Sequence, residues 1–395
     1  MMAAAAFGIT AVLVAGCGSA QGNQGSRAAA APTGPASAAS MPTGSAATRI
    51  TGAGFAPAAV SFGSDSHGWL LGHSGCADCA ALRETRDGGS TWTVLPPPPA
   101  LLGYYTSAGA GVTQVAFADT SSGFLYGPGL LATSDGGRTW RRESLPPVQD
   151  LVIGDGYAYA LTAAAAAGQP YRLWRTAIGS RTWTELPSIG EAGPDNPSSR
   201  VYASGSTLVL LQQGVFGPAP VGTAAPAGDL WLSTDHGVSW QARTVPCTGQ
   251  FGGGASVLSI ALDHPASWLL DCFDNEQSSQ EQDTQHHLFG TVNAGMLWVQ
   301  LPDPSKHNAP DALADNGAGH AFLATEGGMG DTLLGTFDGG LHWRILITSS
   351  GSFYGWSGPD FPTASTGFVV GPTHYAPEHL YRTTDGGHSW RIVRF

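Results

Sequence analysis

The sequence predicts an all-β fold made of seven four-stranded antiparallel units. Three observations lead to this prediction: a composition rich in turn-forming and aromatic residues, an octapeptide that recurs seven times, and a second short element that alternates with it. The 56 glycines, 27 prolines and 12 tryptophans favour short strands joined by tight turns. A chain of 395 residues buries roughly three quarters of its unfolded surface, so it has room for a large core.

The charge balance limits the classes of partner. The 17 basic and 29 acidic residues give a net charge of −12, which repels phosphate backbones and disfavours nucleic-acid binding. Charged residues make up 12% of the chain, about half of the usual share, so charge-driven disorder is not expected for most of it.

The first 17 residues predict an export signal. The apolar run Ala3 to Ala15 is too short to remain as a membrane-spanning helix. It ends at Cys17 in the sequence Val-Ala-Gly-Cys, which resembles a bacterial lipobox, although Met1-Met2 lacks the usual basic residue. The resemblance implies an exported protein that is lipid-anchored through Cys17 to the outer face of the bacterial cytoplasmic membrane. A plain secretory signal with an incidental cysteine is the alternative.

Residues 18–47 predict a flexible linker. They are mostly Ala, Gly, Ser, Pro, Thr and Gln, with Arg27 as the single charge. Such a segment buries too little apolar surface to offset its ordering entropy. We therefore expect one globular, monomeric domain at 48–395, whose contact with the membrane is the lipid anchor alone.

The octapeptide is the strongest signal in the chain. Thr85–Trp92, with the sequence TRDGGSTW, returns with small changes at Thr133–Trp140 and Thr383–Trp390. Looser copies occupy 233–240, 291–298 and 336–343, and the copy at 176–183 keeps only the spacing. The Asp position of the six better copies is filled by Asp87, Asp135, Asp235, Asn293, Asp338 and Asp385.

Each unit reads as four short strands, A to D. Strand A is an apolar run, and strand B is a Gly-aromatic-apolar-apolar-Gly element such as Gly68 to Gly72 or Gly367 to Gly371. The octapeptide is the hairpin turn between strands C and D, where glycines accept positive φ and the Asp carboxylate holds backbone N–H groups. The aspartates are therefore scaffold and not catalytic, and the Trp is expected to fill the gap between neighbouring sheets.

The motif Ser/Thr-x-Asp-x-Gly-x-x-Trp is matched in full by five copies and resembles the Asp box, or bacterial neuraminidase repeat, of β-propellers. The resemblance covers the chain from about Ala58 to Phe395 and implies a seven-bladed propeller. The spacing is most similar to photosystem II assembly-factor-like propellers. Sialidases, sortilin-type receptors and xyloglucan-cleaving glycosidases also carry Asp boxes, so the resemblance implies little about activity.

Strand order places the B–C loops and D–A crossovers on one face, here called the loop face, and the octapeptides on the opposite face, the octapeptide face. Loops on a rigid scaffold commonly carry function. Aromatic and histidine side chains without a role in the repeat make this face the candidate ligand-binding surface: Tyr104, Tyr105, Tyr354, Trp356, His374 and Tyr375. The alternative is that they pack within their own loops.

Four cysteines remain after Cys17. An even number in an exported chain predicts disulfides, and the strand assignment pairs Cys76 with Cys79 and Cys247 with Cys272. A C-x-x-C can also be redox-active or bind zinc, but this one lies in a loop and has no second copy. The acidic insert from 271 to 287 shows no recognised ligand spacing, so neither a metal nor a cofactor is expected.

These features favour a binding or assembly propeller without catalytic activity, whose partner is a protein or glycan at the cell surface. The alternative is a secreted glycoside hydrolase. A sialidase needs clustered arginines at its centre, yet 13 of 16 arginines lie in strands C and D or in the octapeptides. A two-carboxylate glycosidase stays open, because four aspartates fall near the starts of strand A: Asp150, Asp263, Asp311 and Asp360.

Overall fold

A computed structural model describes residues 54–76, 78–103, 111–162, 169–189, 199–212, 230–247, 256–275, 284–304, 309–326, 331–349, 356–371 and 379–394. They form 27 β-strands in seven sheets, within the compact unit Ala47–Phe395. These residues contain no helix, and hence none that could span a bilayer. The predicted signal at 1–17, with Cys17, and the predicted linker at 18–47 lie outside the described residues.

The seven sheets are the blades of a propeller, which confirms the predicted fold class. Their strands, in chain order, are β1 (Phe55–Phe62), β2 (Gly68–Ser74), β3 (Ala80–Thr85) and β4 (Thr93–Val94); β5 (Gln114–Phe117), β6 (Gly123–Tyr126), β7 (Leu130–Thr133) and β8 (Arg141–Arg142); β9 (Val148–Gly154), β10 (Tyr157–Thr162), β11 (Arg172–Ala177) and β12 (Thr184–Glu185); β13 (Ser199–Ser204), β14 (Thr207–Gln212), β15 (Leu230–Ser233) and β16 (Gln241–Arg243); β17 (Ser256–His264), β18 (Ser267–Asn275), β19 (Thr284–Thr291) and β20 (Val299–Gln300); β21 (Ala309–Asp315), β22 (Ala321–Glu326), β23 (Asp331–Thr336) and β24 (Trp343–Ser349); and β25 (Gly367–Val370), β26 (Leu380–Thr383) and β27 (Arg391–Val393).

The last blade shows how the ring closes. Its strand A is reduced to one bridge, between Asp360 and Phe368, and β27 forms the outer edge, where Ile392 pairs with Tyr381. Each blade is therefore continuous in sequence, and the ring closes without an exchanged strand. The seam is sealed by packing, because the Phe62 ring of blade 1 stacks on the Phe368 ring of blade 7 with their centroids 3.5 Å apart.

The same aromatic contact recurs between other neighbouring blades. The ring of Phe117 in blade 2 stacks on Trp69 of blade 1 at 3.6 Å, and Phe361 of blade 7 stacks on Phe322 of blade 6 at 4.7 Å. An aromatic residue at the end of strand A thus packs on the strand-B aromatic of the blade before it. This contact explains why strand B carries a large apolar residue directly after its first glycine.

That first glycine makes room for the ring. Gly68 pairs directly with Phe62, and a Cβ on Gly68 would fall 2.4 Å from the phenyl ring. Gly123 stands in the same relation to Phe117, again at 2.4 Å. The Gly-aromatic pattern therefore reflects two contacts. The glycine makes room for the strand-A ring of its own blade, and the aromatic residue stacks on the strand-A ring of the next blade.

In the octapeptides, the aspartate orders the turn. Asp87 accepts hydrogen bonds from the Oγ1 of Thr85 (2.9 Å) and from the backbone N–H and Oγ1 of Thr91 (2.8 and 2.6 Å). The bonds from Thr91 lower the pKa of the Asp87 carboxyl to about 2. Asp235, Asp338 and Asp385 accept equivalent bonds. The carboxylates are thus engaged by their own turns.

The copy at 176–183 departs from this geometry, as its sequence predicts. Ile178 replaces the aspartate, and the turn is instead closed by a bond from the Ser180 N–H to the Ala177 carbonyl at 2.9 Å. The octapeptide tryptophans pack against the clusters between neighbouring blades, as Trp140 does with residues of blades 1 and 2. They are half-buried, whereas the fully buried tryptophans are Trp69 and Trp268 of strand B, because strand B and not strand D lies at the centre of each sheet.

The two glycines of the turn have different constraints. Both have positive φ, but the first position also holds His236 (φ 60°) and Ala294 (φ 57°) in other blades. The second glycine lies against the preceding blade: a Cβ on Gly387 (φ 90°) would fall 2.2 Å from the ring of Phe322. At the first position a Cβ on Gly339 (φ 74°) meets nothing within 4 Å.

We therefore predict unequal costs for two alanine substitutions. In Gly339→Ala the only cost is the strain of an alanine in the left-handed backbone conformation, which should lower the free energy of unfolding by about 1 kcal/mol. Gly387→Ala also drives a methyl group into Phe322 and should lower it by about 3 kcal/mol or more. Denaturant unfolding of both variants measures the difference, and equal losses would contradict this account of blade packing.

Candidate functional site

Two cavities in the described part of the chain are candidate sites. The first is the central channel, of about 760 Å³, which is lined by strand A of every blade. The second is a groove of about 330 Å³ between blades 5 and 6 on the octapeptide face. They differ in chemistry, since polar atoms are prominent in the channel and apolar side chains dominate the groove.

The channel contains two aspartates that bond to backbone. Asp150 of blade 3 accepts hydrogen bonds from the N–H groups of Leu151 and, in blade 4, Val201, both at 2.9 Å. Asp360 of blade 7 accepts one from the N–H of Phe62 in blade 1 at 2.6 Å. Each carboxylate thus satisfies an amide on the inner edge of the following blade. Between blades 1 and 2, the hydroxyl of Ser61 does the same for the N–H of Phe117 at 2.9 Å.

Burial raises the pKa of both carboxyl groups. It raises the pKa of Asp360 to about 7, against the opposing effect of the Phe62 N–H. It also raises the pKa of Asp150, which the positive charge of Arg200 and the two amide bonds partly counteract. Raised pKa values are common in catalytic acids, but structural groups show them too, and here the bonding partners are structural.

The two carboxylates do not lie at one depth in the channel. In blade 3, Ala158 of strand B pairs with the first octapeptide residue, and Asp150 pairs with Leu161, three residues further along strand B. In blade 7 the corresponding strand-B residue is Gly367, and Asp360 pairs with Phe368, one residue further along. The difference of two residues corresponds to about 6.6 Å along a strand, on blades that are not neighbours. The side chains of Asp263 and Asp311, the other two candidates, lie outside the described residues.

Of the candidate residues on the loop face, one is placed by the structure. Trp356 is 4% exposed and packs in the core between blades 6 and 7 with Phe322 and Val369. Its expected role in ligand contact is corrected, because this side chain packs inward and is not accessible. The other candidates lie outside the described residues: Tyr104, Tyr105, Tyr354, His374 and Tyr375.

Both predicted disulfides are present. Cys76 and Cys79 are bonded, with their Cα atoms 5.2 Å apart, and so are Cys247 and Cys272, at 5.5 Å. Among the described residues, the group with the composition of a metal site is Cys76, Asp78 and Cys79. Both sulfurs of that group are engaged in the disulfide, so it offers no thiolate ligand in this state.

The groove between blades 5 and 6 is a site that the sequence reasoning missed. Its walls include Trp268, Leu269, Val299 and Leu301 of blade 5 and Ala321 of blade 6. At its rim, the blade-5 octapeptide presents Val292 at 83% exposure and Leu297 at 65%, and the neighbouring Met296 is 70% exposed. Leu341 and Ile345 of blade 6 are also exposed, outside the lining of the groove.

A sequence signal for this groove existed. Three octapeptide positions that the motif does not specify hold Arg86, Ser90 and Thr91 in blade 1, and the same positions hold Val292, Met296 and Leu297 in blade 5. The repeat does not need apolar residues there, because the turns of blades 1, 2 and 7 form with polar residues at all three positions. The signal was overlooked because the octapeptide face was treated as uniform scaffold.

No model of a known protein family matches the chain, and no curated protein matches it in sequence. Solved structures match its fold. YCF48 bound to a D1 peptide is 19% identical with a TM-score of 0.55, over 85% of this chain and 95% of that one. YCF48 from Cyanidioschyzon merolae is 16% identical with a TM-score of 0.53, over 84% and 95%. The GH74 xyloglucanase from Xanthomonas campestris is 14% identical with a TM-score of 0.52, over 86% and 68%.

The pKa of Asp360 predicts a pH dependence of stability. Because this carboxyl binds its proton more tightly in the folded state, its contribution falls as pH rises from about 4 to about 7. Because the Asp360 side chain is partly exposed to the channel, the decrease in the free energy of unfolding is limited to on the order of 2 kcal/mol. Asp360→Asn removes this titration, so its stability relative to wild type should rise between pH 5 and pH 8.

Denaturant unfolding of both proteins across this range measures the effect. Asp235→Asn is the matched control, because the pKa of Asp235 is lowered to about 2 by its bonds with Ser239 and its titration lies below the tested range. A difference between wild type and Asp360→Asn that stays constant with pH would contradict the assignment.

Proposed function

We propose that this chain is an Asp-box propeller that binds a polypeptide partner without catalysing a reaction on it. The observation that carries the proposal is the exposed apolar groove between blades 5 and 6. Exposed valine, methionine and leucine side chains are costly in water, and clusters of them commonly mark interaction sites. The structural likeness to YCF48, one form of which is bound to a D1 peptide, supports a polypeptide as the ligand class.

The groove favours a segment with apolar side chains. Its walls offer aliphatic groups at Leu269 and Leu301, while polar groups are few: Asn293, Asp315 and His320. Such a lining gains affinity by burying apolar side chains and gains orientation from a small number of polar contacts. An extended apolar peptide meets these requirements better than a glycan, which needs a denser set of hydrogen-bonding groups.

The sequence adds two further parts to the proposal. The lipobox at Cys17 and the linker at 18–47 would tether the domain at 48–395 to the outer face of the cytoplasmic membrane as a monomer. A second contact surface is proposed on the loop face at Tyr104, Tyr105, Tyr354, His374 and Tyr375. It would hold the remainder of a protein partner, or a surface glycan.

The second candidate function is glycoside hydrolysis. It is favoured by the fold likeness to the GH74 xyloglucanase and by two channel aspartates whose pKa values are raised by burial. Against it, the carboxylates of Asp150 and Asp360 are engaged by backbone amides and stand at different depths. Release of reducing sugar from xyloglucan, or of sialic acid from sialosides, would replace the first proposal with this one.

The binding proposal is tested by transplanting residues between octapeptides. Met296→Ser and Leu297→Thr install the residues of the blade-1 turn, so folding should be unchanged. A displayed library of random peptides is panned on the wild-type domain, and the affinity of the selected peptides is measured by calorimetry. We expect apolar peptides, whose affinity falls by about tenfold or more in the double variant.

Two matched variants make the result specific. Ser134→Thr with Arg138→Ser changes the blade-2 turn and should leave affinity unchanged. Tyr104→Ala with Tyr105→Ala tests the loop face. Selected peptides that bind the groove variant as well as wild type contradict the groove, and their loss in the tyrosine variant would place the site on the loop face instead.

A further inference from the structure

The two disulfides differ in their surroundings. Cys247 and Cys272 are 1% and 0% exposed and lie inside the core cluster between blades 4 and 5. Cys79 is exposed and Cys76 half-buried, at the tip of the hairpin formed by β2 and β3. The first bridge is therefore shielded from external thiols by the core, whereas the second can be reached by them without unfolding.

Loop length separates the two bridges further. The Cys76–Cys79 bridge closes a separation of three residues, whereas Cys247–Cys272 closes one of 25. A bridge over a shorter loop removes less entropy from the unfolded chain and so contributes less to stability. Opening the Cys76–Cys79 bridge should leave the propeller folded, which is a requirement for any reversible chemistry there.

This hairpin tip also supports the start of the crossover to blade 2. Cys79 forms a β-bridge with Leu101, and the carbonyl of Asp78 accepts a hydrogen bond from the N–H of Leu102 at 2.9 Å. The N–H of Val112 then bonds to the carbonyl of Leu101 at 2.9 Å. The state of the disulfide is thus coupled through backbone bonds to both ends of that crossover.

The Asp78 carboxylate lies beside one of the two sulfurs, that of Cys76. Its Oδ1 lies 3.1 Å from the Sγ of Cys76, and the carboxylate is exposed. A negative charge at this distance repels a thiolate that approaches Cys76, and it also slows the departure of Cys76 as a thiolate when Cys79 is attacked. Cys79 is the more exposed of the two cysteines, so an external thiolate reaches Cys79 first.

We propose that Cys76–Cys79 is a reversible thiol–disulfide exchange site that is reduced by an external dithiol and regulates the anchoring of the blade 1–2 crossover. One thiolate of the dithiol attacks the Sγ of Cys79 and forms a mixed disulfide. The bond to Cys76 breaks, and its electron pair leaves on the Cys76 sulfur, which takes a proton from water. The second thiolate of the dithiol then displaces Cys79, so the dithiol is oxidised to a disulfide and the protein gains two thiols.

The Asp78 contact makes this site a target of exchange rather than an attacking nucleophile. An oxidoreductase lowers the pKa of one cysteine so that its thiolate can attack a substrate. A neighbouring carboxylate has the opposite effect on a thiol. The site is therefore suited to sense a dithiol and not to reduce other proteins.

The experiment treats the folded protein with dithiothreitol, alkylates free thiols over time and identifies them by mass spectrometry. Cys76 and Cys79 should be alkylated at least about tenfold faster than Cys247 and Cys272. Asp78→Asn should accelerate reduction severalfold at neutral pH. Hydrogen exchange at the amide of Leu102 should become faster after reduction, while the amides of β2 stay protected.

The double variant Cys76→Ser with Cys79→Ser is the control. It should keep the fold, show the fast exchange at Leu102 without reductant and give no response to dithiothreitol. Reduction of both bridges at one rate, reduction only on unfolding, an unchanged rate in Asp78→Asn, or unaltered exchange at Leu102 would each overturn the proposal.

Discussion

The structure depends on the contact between each octapeptide turn and the blade before it. A twisted four-stranded sheet leaves an apolar face that it cannot bury alone, and the next blade covers that face. The fit is closest at the second glycine of the turn, where the chain passes so near to Phe322 or Leu82 that even a methyl group would collide. The Asp carboxylate then holds the turn in the one conformation that permits this approach.

This constraint explains which parts of the molecule could be predicted from sequence. The second glycine of the turn recurs at fixed spacing in six octapeptides, which with the copy at 176–183 give the blade count, and a glycine also precedes the strand-B aromatics Trp69, Phe124 and Phe368. The disulfides followed from the strand assignment that the repeat provided. Trp356 could not be assigned in this way, because whether a loop aromatic packs inward depends on contacts with two blades that no local pattern encodes.

The octapeptides also show how function can be added to a repeat without disturbing it. Three positions that the motif leaves open hold polar residues in blade 1 and apolar residues in blade 5, yet both turns keep positive φ at their two central residues. Sequence reasoning identified the conserved frame as scaffold and for that reason passed over the residues within it. At positions that the motif does not specify, a residue that differs in character from the other copies indicates a function of that one blade, as exposed Val292 and Leu297 do in blade 5.

The central channel follows from the same geometry. Strand A is an edge strand in every blade, so its inward N–H groups lack a partner strand and must be satisfied by water or side chains. The side-chain oxygens of Asp150, Asp360 and Ser61 each accept a hydrogen bond from a backbone N–H of the following blade. These bonds link neighbouring blades at the axis, as the turns link them at the rim. Carboxylates used in this way acquire raised pKa values from burial alone, and their bonds to the backbone hold them in place. A raised pKa at a propeller axis is therefore weak evidence for catalysis until the amides around the carboxylate have been accounted for.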